Sequence, residues 1–105
     1  MTTSRWRTIT AKVRKRFPVE TPVTIRRKKM SDAGLTTFDG RQYHIYIDFK
    51  QNDSAQVETL LHEWGHVIAM EQAFKHKGPW GKIYGNIYEW WFHGSEEEEE
   101  EEEDD

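Results

Sequence analysis

The run His62-Glu63-Trp64-Gly65-His66 holds two imidazoles and a carboxylate at a spacing that can do metal chemistry. Residues four apart on an α-helix stand one above the other on the same face. His62 and His66 placed in this way can grip one zinc ion, which takes nitrogen donors in tetrahedral geometry. Glu63 lies about 100° round the helix from His62. From there its carboxylate can reach a water held by the metal without ligating the metal itself. That is the arrangement metal-assisted hydrolysis requires. The expectation is therefore a Zn2+ site with His62 and His66 as ligands and Glu63 as the catalytic base.

Catalytic zinc commonly keeps three protein ligands and one position open for water. The chain has no cysteine, so a further His, Glu or Asp must complete the set. His76 follows the motif by ten residues, in the break Lys75-His76-Lys77-Gly78-Pro79, where the chain can double back. Glu89 is the alternative, projecting inward from a second helix. Glu71 sits five residues after His66, about 140° away from it on the same helix. His44 falls on a strand, and His93 is near the C-terminal acidic run.

The elements that must position this group follow from periodicity. Val57, Leu60, Leu61, Trp64, Val67 and Ile68 form a buried stripe beside the histidine face, predicting a helix over 54–74. Asp53 followed by Gln56 resembles a capping box at its start. Trp6, Ile9, Val13 and Phe17 mark an amphipathic helix over 5–17, ended by Pro18. Strands are expected at 23–30, 35–38 and 42–49, with Asp39-Gly40 as a hairpin turn. In the last of them Tyr43, Ile45, Ile47 and Phe49 face one way and His44, Tyr46 and Asp48 the other. Trp80, Ile83, Tyr84, Ile87, Tyr88 and Trp91 resume a helical period over 80–92, read as a core-covering helix. The expected fold is α+β: an N-terminal helix, a small and mainly antiparallel sheet of about three strands, the motif helix and a C-terminal helix.

Composition bounds the rest. A chain of 105 residues makes one small domain, here 1–95, and a bound metal would help to hold so limited a core. Residues 96–105 are ten consecutive acids, and like charges in a block repel and resist folding. They are read as a disordered acidic tail whose simplest role is solubility; folding back on basic surface and loose cation binding are the alternatives. Setting them aside leaves 15 bases against 9 acids, a formal +6. Ten of the bases precede Met30. Lys12, Arg14, Lys15 and Arg16 make the polar face of the first helix a candidate DNA or RNA contact, against the plainer reading of a solvated face. No apolar run approaches a membrane span, and the first residues lack an apolar signal core. The expectation is a cytoplasmic protein without a membrane partner.

Leu60-Leu61-His62-Glu63-Trp64-Gly65-His66, followed by His76-Lys77-Gly78-Pro79-Trp80-Gly81-Lys82-Ile83-Tyr84, resembles SprT-like zinc metallopeptidase domains, particularly short phage and bacterial versions. The resemblance covers roughly residues 20–92. It implies a zincin-like fold, zinc ligands at His62, His66 and His76, general-base duty for Glu63, and a protein or peptide substrate near DNA. Two features depart from the family pattern: the spacing to His76 is short, with Lys77 before Gly78, and no cysteine zinc ribbon follows. A weaker resemblance is to ImmA/IrrE-like metallopeptidases, which cut repressor proteins. The rival to a peptidase is a nucleic-acid-binding module with a structural zinc site. For a peptidase, Tyr84 or Tyr88 could donate to the oxyanion, and an extended substrate could pair with the edge of the 42–49 hairpin.

Overall fold

The computed structural model describes residues 1–75, with side chains through residue 73. In chain order these form α1 (Thr3–Arg16), β1 (Val23–Lys28), β2 (Gly34–Phe38), β3 (Tyr43–Asp48) and α2 (Asp53–Lys75). The expected helix over 80–92 and the acidic run at 96–105 lie outside the described residues. No described helix is long and apolar enough to cross a membrane.

Helix α1 forms as its periodicity predicts. Thr2 caps it by accepting from the Arg5 amide at 3.1 Å. Trp6, Ile9 and Val13 are buried. Arg14, Lys15 and Arg16 occupy the last turn, where positive charge opposes the negative end of the helix dipole.

The sheet is mixed, with order β1-β3-β2. β2 and β3 are antiparallel, as a hairpin requires, whereas β1 and β3 run parallel with Val23 opposite Tyr43 and Lys28 opposite Asp48. The mainly antiparallel pattern expected from the sequence thus holds for one of the two pairings. β3 takes the central place because Tyr43, Ile45 and Ile47 are almost wholly buried, while β1 carries Arg26 and Lys28, both exposed. Putting β3 between the other two strands obliges residues 29–33 to cross its end. Asp48 ties that crossing: its amide donates to Ala33 O at 2.9 Å, and its carboxylate accepts from the amides of Met30 and Lys50. This explains a buried aspartate where alternation alone expected an outward polar residue. β3 ends at Asp48, so Phe49 falls outside the strand and is half exposed rather than inward-facing.

The β2–β3 connection turns about Gly40, whose φ of +97° is the only positive value among the described residues. With Asp39 N–H bonded to Gln42 O at 3.1 Å, the two-residue loop is Gly40-Arg41, one residue later than the Asp39-Gly40 signal. Positive φ at the first loop position and not the second is the sign pattern of a type II′ turn. Asp39 Oδ1 accepts from the amides of Arg41 and Gln42, at 2.8 and 2.9 Å.

Helix α2 packs across the inner face of the sheet. Val57, Leu60, Leu61, Trp64 and Val67 are buried, with Ile68 partly so. The Trp64 indole N–H donates to Phe17 O at 3.0 Å, linking the motif helix to the end of α1. The cap is Asn52 rather than Asp53: Asn52 Oδ1 accepts from the Ala55 amide at 2.8 Å, and Asn52 O from the Gln56 amide. Gln56 is buried and gives its amide to the carbonyls of Gln51 and Phe49. It therefore closes the loop before the helix instead of completing a capping box.

Candidate metal centre

The inner face of the sheet brings Gly34, Thr36 and Phe38 of β2 into line with Ile47, Ile45 and Tyr43 of β3. α2 lies over this face, and its third turn carries the motif. His62 Nε2 and His66 Nε2 are 3.1 Å apart, their rings edge to face at 4.8 Å between centroids. One donor atom from each of His62, Glu63 and His66 falls within 4.8 Å of the others, a grouping able to hold a metal ion. The i, i+4 geometry expected from the spacing is therefore present. At that distance one ring can donate to the other, and two ring nitrogens so close can also serve one metal ion.

Glu63 is buried, and its Oε1 accepts a 2.7 Å hydrogen bond from the Thr36 hydroxyl. Burial holds the His66 imidazole below its ordinary pKa; Glu63 pulls it upward, and His62 pushes it further down. The net effect favours the neutral ring, whose lone pair a metal needs. An open cleft of about 800 Å³ fronts the group, lined by Gly34, Leu35, Thr36, His62, Glu63 and His66, with Ala69, Met70 and Ala73 beyond them.

β2 approaches the helix closely because Gly34 has no side chain. A Cβ there would stand 2.5 Å from Thr59 Cγ2 and 3.1 Å from Glu63 Cγ. Neither Gly34, just before the expected 35–38 strand, nor Thr36 belongs to a motif; the observed strand Gly34–Phe38 gives them one parity and places both on the face that meets α2.

Among the candidates for a third ligand, His76, Glu89 and His93 lie outside the described residues, as do Tyr84 and Tyr88. Glu71 turns away, its Oε1 accepting from the Thr21 amide at 3.1 Å. His44 sits on the opposite face of the sheet, its Nδ1 2.8 Å from Thr24 Oγ1 and its Nε2 2.7 Å from Asp39 Oδ2. That contact and the two turn amides hold the Asp39 carboxyl down at a pKa of about 2.

The structure gives the basic face of α1 partly structural partners. The Arg14 guanidinium stands 5.7 Å from the Trp64 ring centroid and that of Arg16 5.0 Å from Phe17, cation–π contacts made by side chains that stay exposed. Burial also lowers the Arg14 pKa. Lys15 is exposed and Lys12 half-buried.

Comparison with family models, with curated proteins and with solved structures finds no match for this chain.

Proposed function

We propose that this chain is a zinc-dependent metallopeptidase of SprT-like character. The observation that carries the reading is the convergence of the His62 and His66 Nε2 atoms, with the Glu63 carboxylate beside them at an open cleft. His62 and His66 hold the cation, and a third ligand comes from His76, or alternatively Glu89. Zinc bound there supplies a Lewis acid that acidifies water and polarises a carbonyl. Glu63 takes the proton from the attacking water and returns it to the leaving amine.

An extended peptide has a strand to pair with. β3 is central and has both edges occupied, so the expected pairing on the 42–49 strand moves to β2. Ala33–Asp48 and Asp39–Gln42 are hydrogen-bonded positions of the β2–β3 ladder. Alternation then turns the backbone groups of Gly34, Thr36 and Phe38 toward the outer edge, where no described strand pairs with them. That edge borders the cleft.

The test is cleavage of a mixed-sequence peptide library read by mass spectrometry. Glu63→Gln is expected to keep zinc and lose cleavage. Equal cleavage by the variant and its parent would refute the mechanism.

A second reading is nucleic-acid binding, favoured by the exposed Arg7, Arg14, Lys15 and Arg16 along α1. It fits a peptidase acting on DNA-associated proteins as well as a binding module with structural zinc. Affinity for duplex DNA should then fall steeply with salt. Affinity unchanged by neutralising Arg14, Lys15 and Arg16 would remove that helix from the interface.

A further inference from the structure

A glutamate side chain has three rotatable bonds and samples several staggered combinations unless something fixes it. A general base must hold one orientation to within hydrogen-bond reach of its proton. Glu63 has a partner that could impose one. Thr36 Oγ1 donates to Glu63 Oε1 at 2.7 Å and lies 3.4 Å from the Glu63 carbonyl oxygen. The donor comes from β2, not from the motif helix. β2 is held in register along its length by β3. Gly34, two residues earlier, lets that strand close to where an added Cβ would press on Glu63 Cγ. The carboxylate is thus tied at one oxygen by a strand that runs close to its stem.

The geometry points to Thr36 as a positioning residue for Glu63, its hydroxyl committing Oε1 so that Oε2 is the oxygen that accepts the proton. This rests on the reading of Glu63 as base. In the step concerned, a water O–H bond breaks, its proton passes to Glu63 Oε2, and the water oxygen bonds to the carbonyl carbon as the C=O π pair moves onto the carbonyl oxygen. That pair later re-forms the C=O bond as the C–N bond breaks and the proton moves from Oε2 to the leaving amine nitrogen. Thr36 keeps its own proton throughout. The edge strand that borders the cleft would therefore also set the orientation of the base.

The experiment uses the full zinc-loaded chain as parent, Thr36→Val, Thr36→Ser and Glu63→Gln. Valine keeps the shape and β preference of threonine without the donor, and serine restores the hydroxyl. The first readout is the Glu63 rotamer distribution from side-chain carbon couplings by NMR. One rotamer is expected in the parent and in Thr36→Ser, and averaging in Thr36→Val. The second is turnover of the best-cut library peptide. Thr36→Val should lose about 10- to 100-fold in kcat, with KM and zinc content unchanged, and Thr36→Ser should recover most of it. A single Glu63 rotamer in Thr36→Val would overturn the assignment. So would parental turnover by Thr36→Val under conditions where Glu63→Gln is inactive. If the parent and Glu63→Gln are equally inert, the base assignment falls instead, and the rotamer comparison alone decides whether Thr36 holds this carboxylate.

Discussion

Replacing Gly34 by alanine adds one methyl group at the place where β2 meets the motif helix. The new Cβ would lie 2.5 Å from Thr59 Cγ2, 3.1 Å from Glu63 Cγ and 3.2 Å from Tyr46 O. The first distance is far inside van der Waals contact, so something must move. Thr59 is β-branched within a helix and has restricted χ1 freedom. Its hydroxyl also donates to Gln51 Oε1 at 3.2 Å, and the Tyr46 carbonyl belongs to the central strand. Overpacking of this kind costs about 1–3 kcal/mol. For a domain of this size each kcal/mol lowers Tm by about 4–8 °C. Urea denaturation of Gly34→Ala, Thr59→Ser and the double variant separates the sources. Thr59→Ser removes Cγ2 and keeps the hydroxyl, so the double variant should recover roughly 0.5–3 kcal/mol relative to additivity. Gly40→Ala is the control: it meets open space but has a φ of +97°, so it should cost about 1–2 kcal/mol from backbone strain with no rescue by Thr59→Ser. Gly34→Ala as stable as the parent, or a strictly additive double variant, would refute the close approach of β2 to α2.

Asn52→Ala should destabilise the fold by about 1 kcal/mol through loss of the α2 cap, read by thermal melts; Asp53→Ala should leave that cap bond intact and remove instead the 3.0 Å ion pair with the Met1 amino group, so hydrogen exchange at the Ala55 amide should quicken in the first variant and not in the second. Asp39 has its folded pKa depressed from 3.8 to about 2, so its contribution to stability is fully present above about pH 3.8 and is lost as pH falls through about 2. Asp39→Asn should therefore flatten the fall in stability across that acid window, read by denaturant titration at pH 5 and pH 2.5; an unchanged slope would show that the contact with His44 and the turn amides does not carry it.

The parts of this fold legible in the sequence are those written in periodicity. The stripe Val57, Leu60, Leu61, Trp64 and Val67 placed the motif on a helix and its histidines on one face. Tyr43, Ile45 and Ile47 identified the buried side of β3. What periodicity does not carry is which strand neighbours which. The parallel β1–β3 pairing depends on a crossing held by Asp48, a residue whose alternation pattern reads as surface. The α2 cap shifted by one residue because Asn52 and Asp53 are both good caps and only loop geometry selects between them. Of the candidate site, His62, Glu63 and His66 were visible. Gly34 and Thr36 were not, since a glycine and a threonine in a short strand carry no local mark of what faces them across a helix–sheet contact. Arg14 and Arg16 read as free surface charge, yet their guanidinium groups stand over the Trp64 and Phe17 rings.

Metal uptake bears on whether His62 and His66 form a cation site at all. The full chain, dialysed against zinc and then against metal-free buffer, should retain about one equivalent by elemental analysis. Cobalt substitution should give the intense visible absorption of a four-coordinate nitrogen-rich site. Glu63→Gln should behave as the parent, while His62→Ala and His66→Ala should lose the bound metal. A parent that takes up no stoichiometric metal, or histidine variants that retain as much as the parent, would contradict the account.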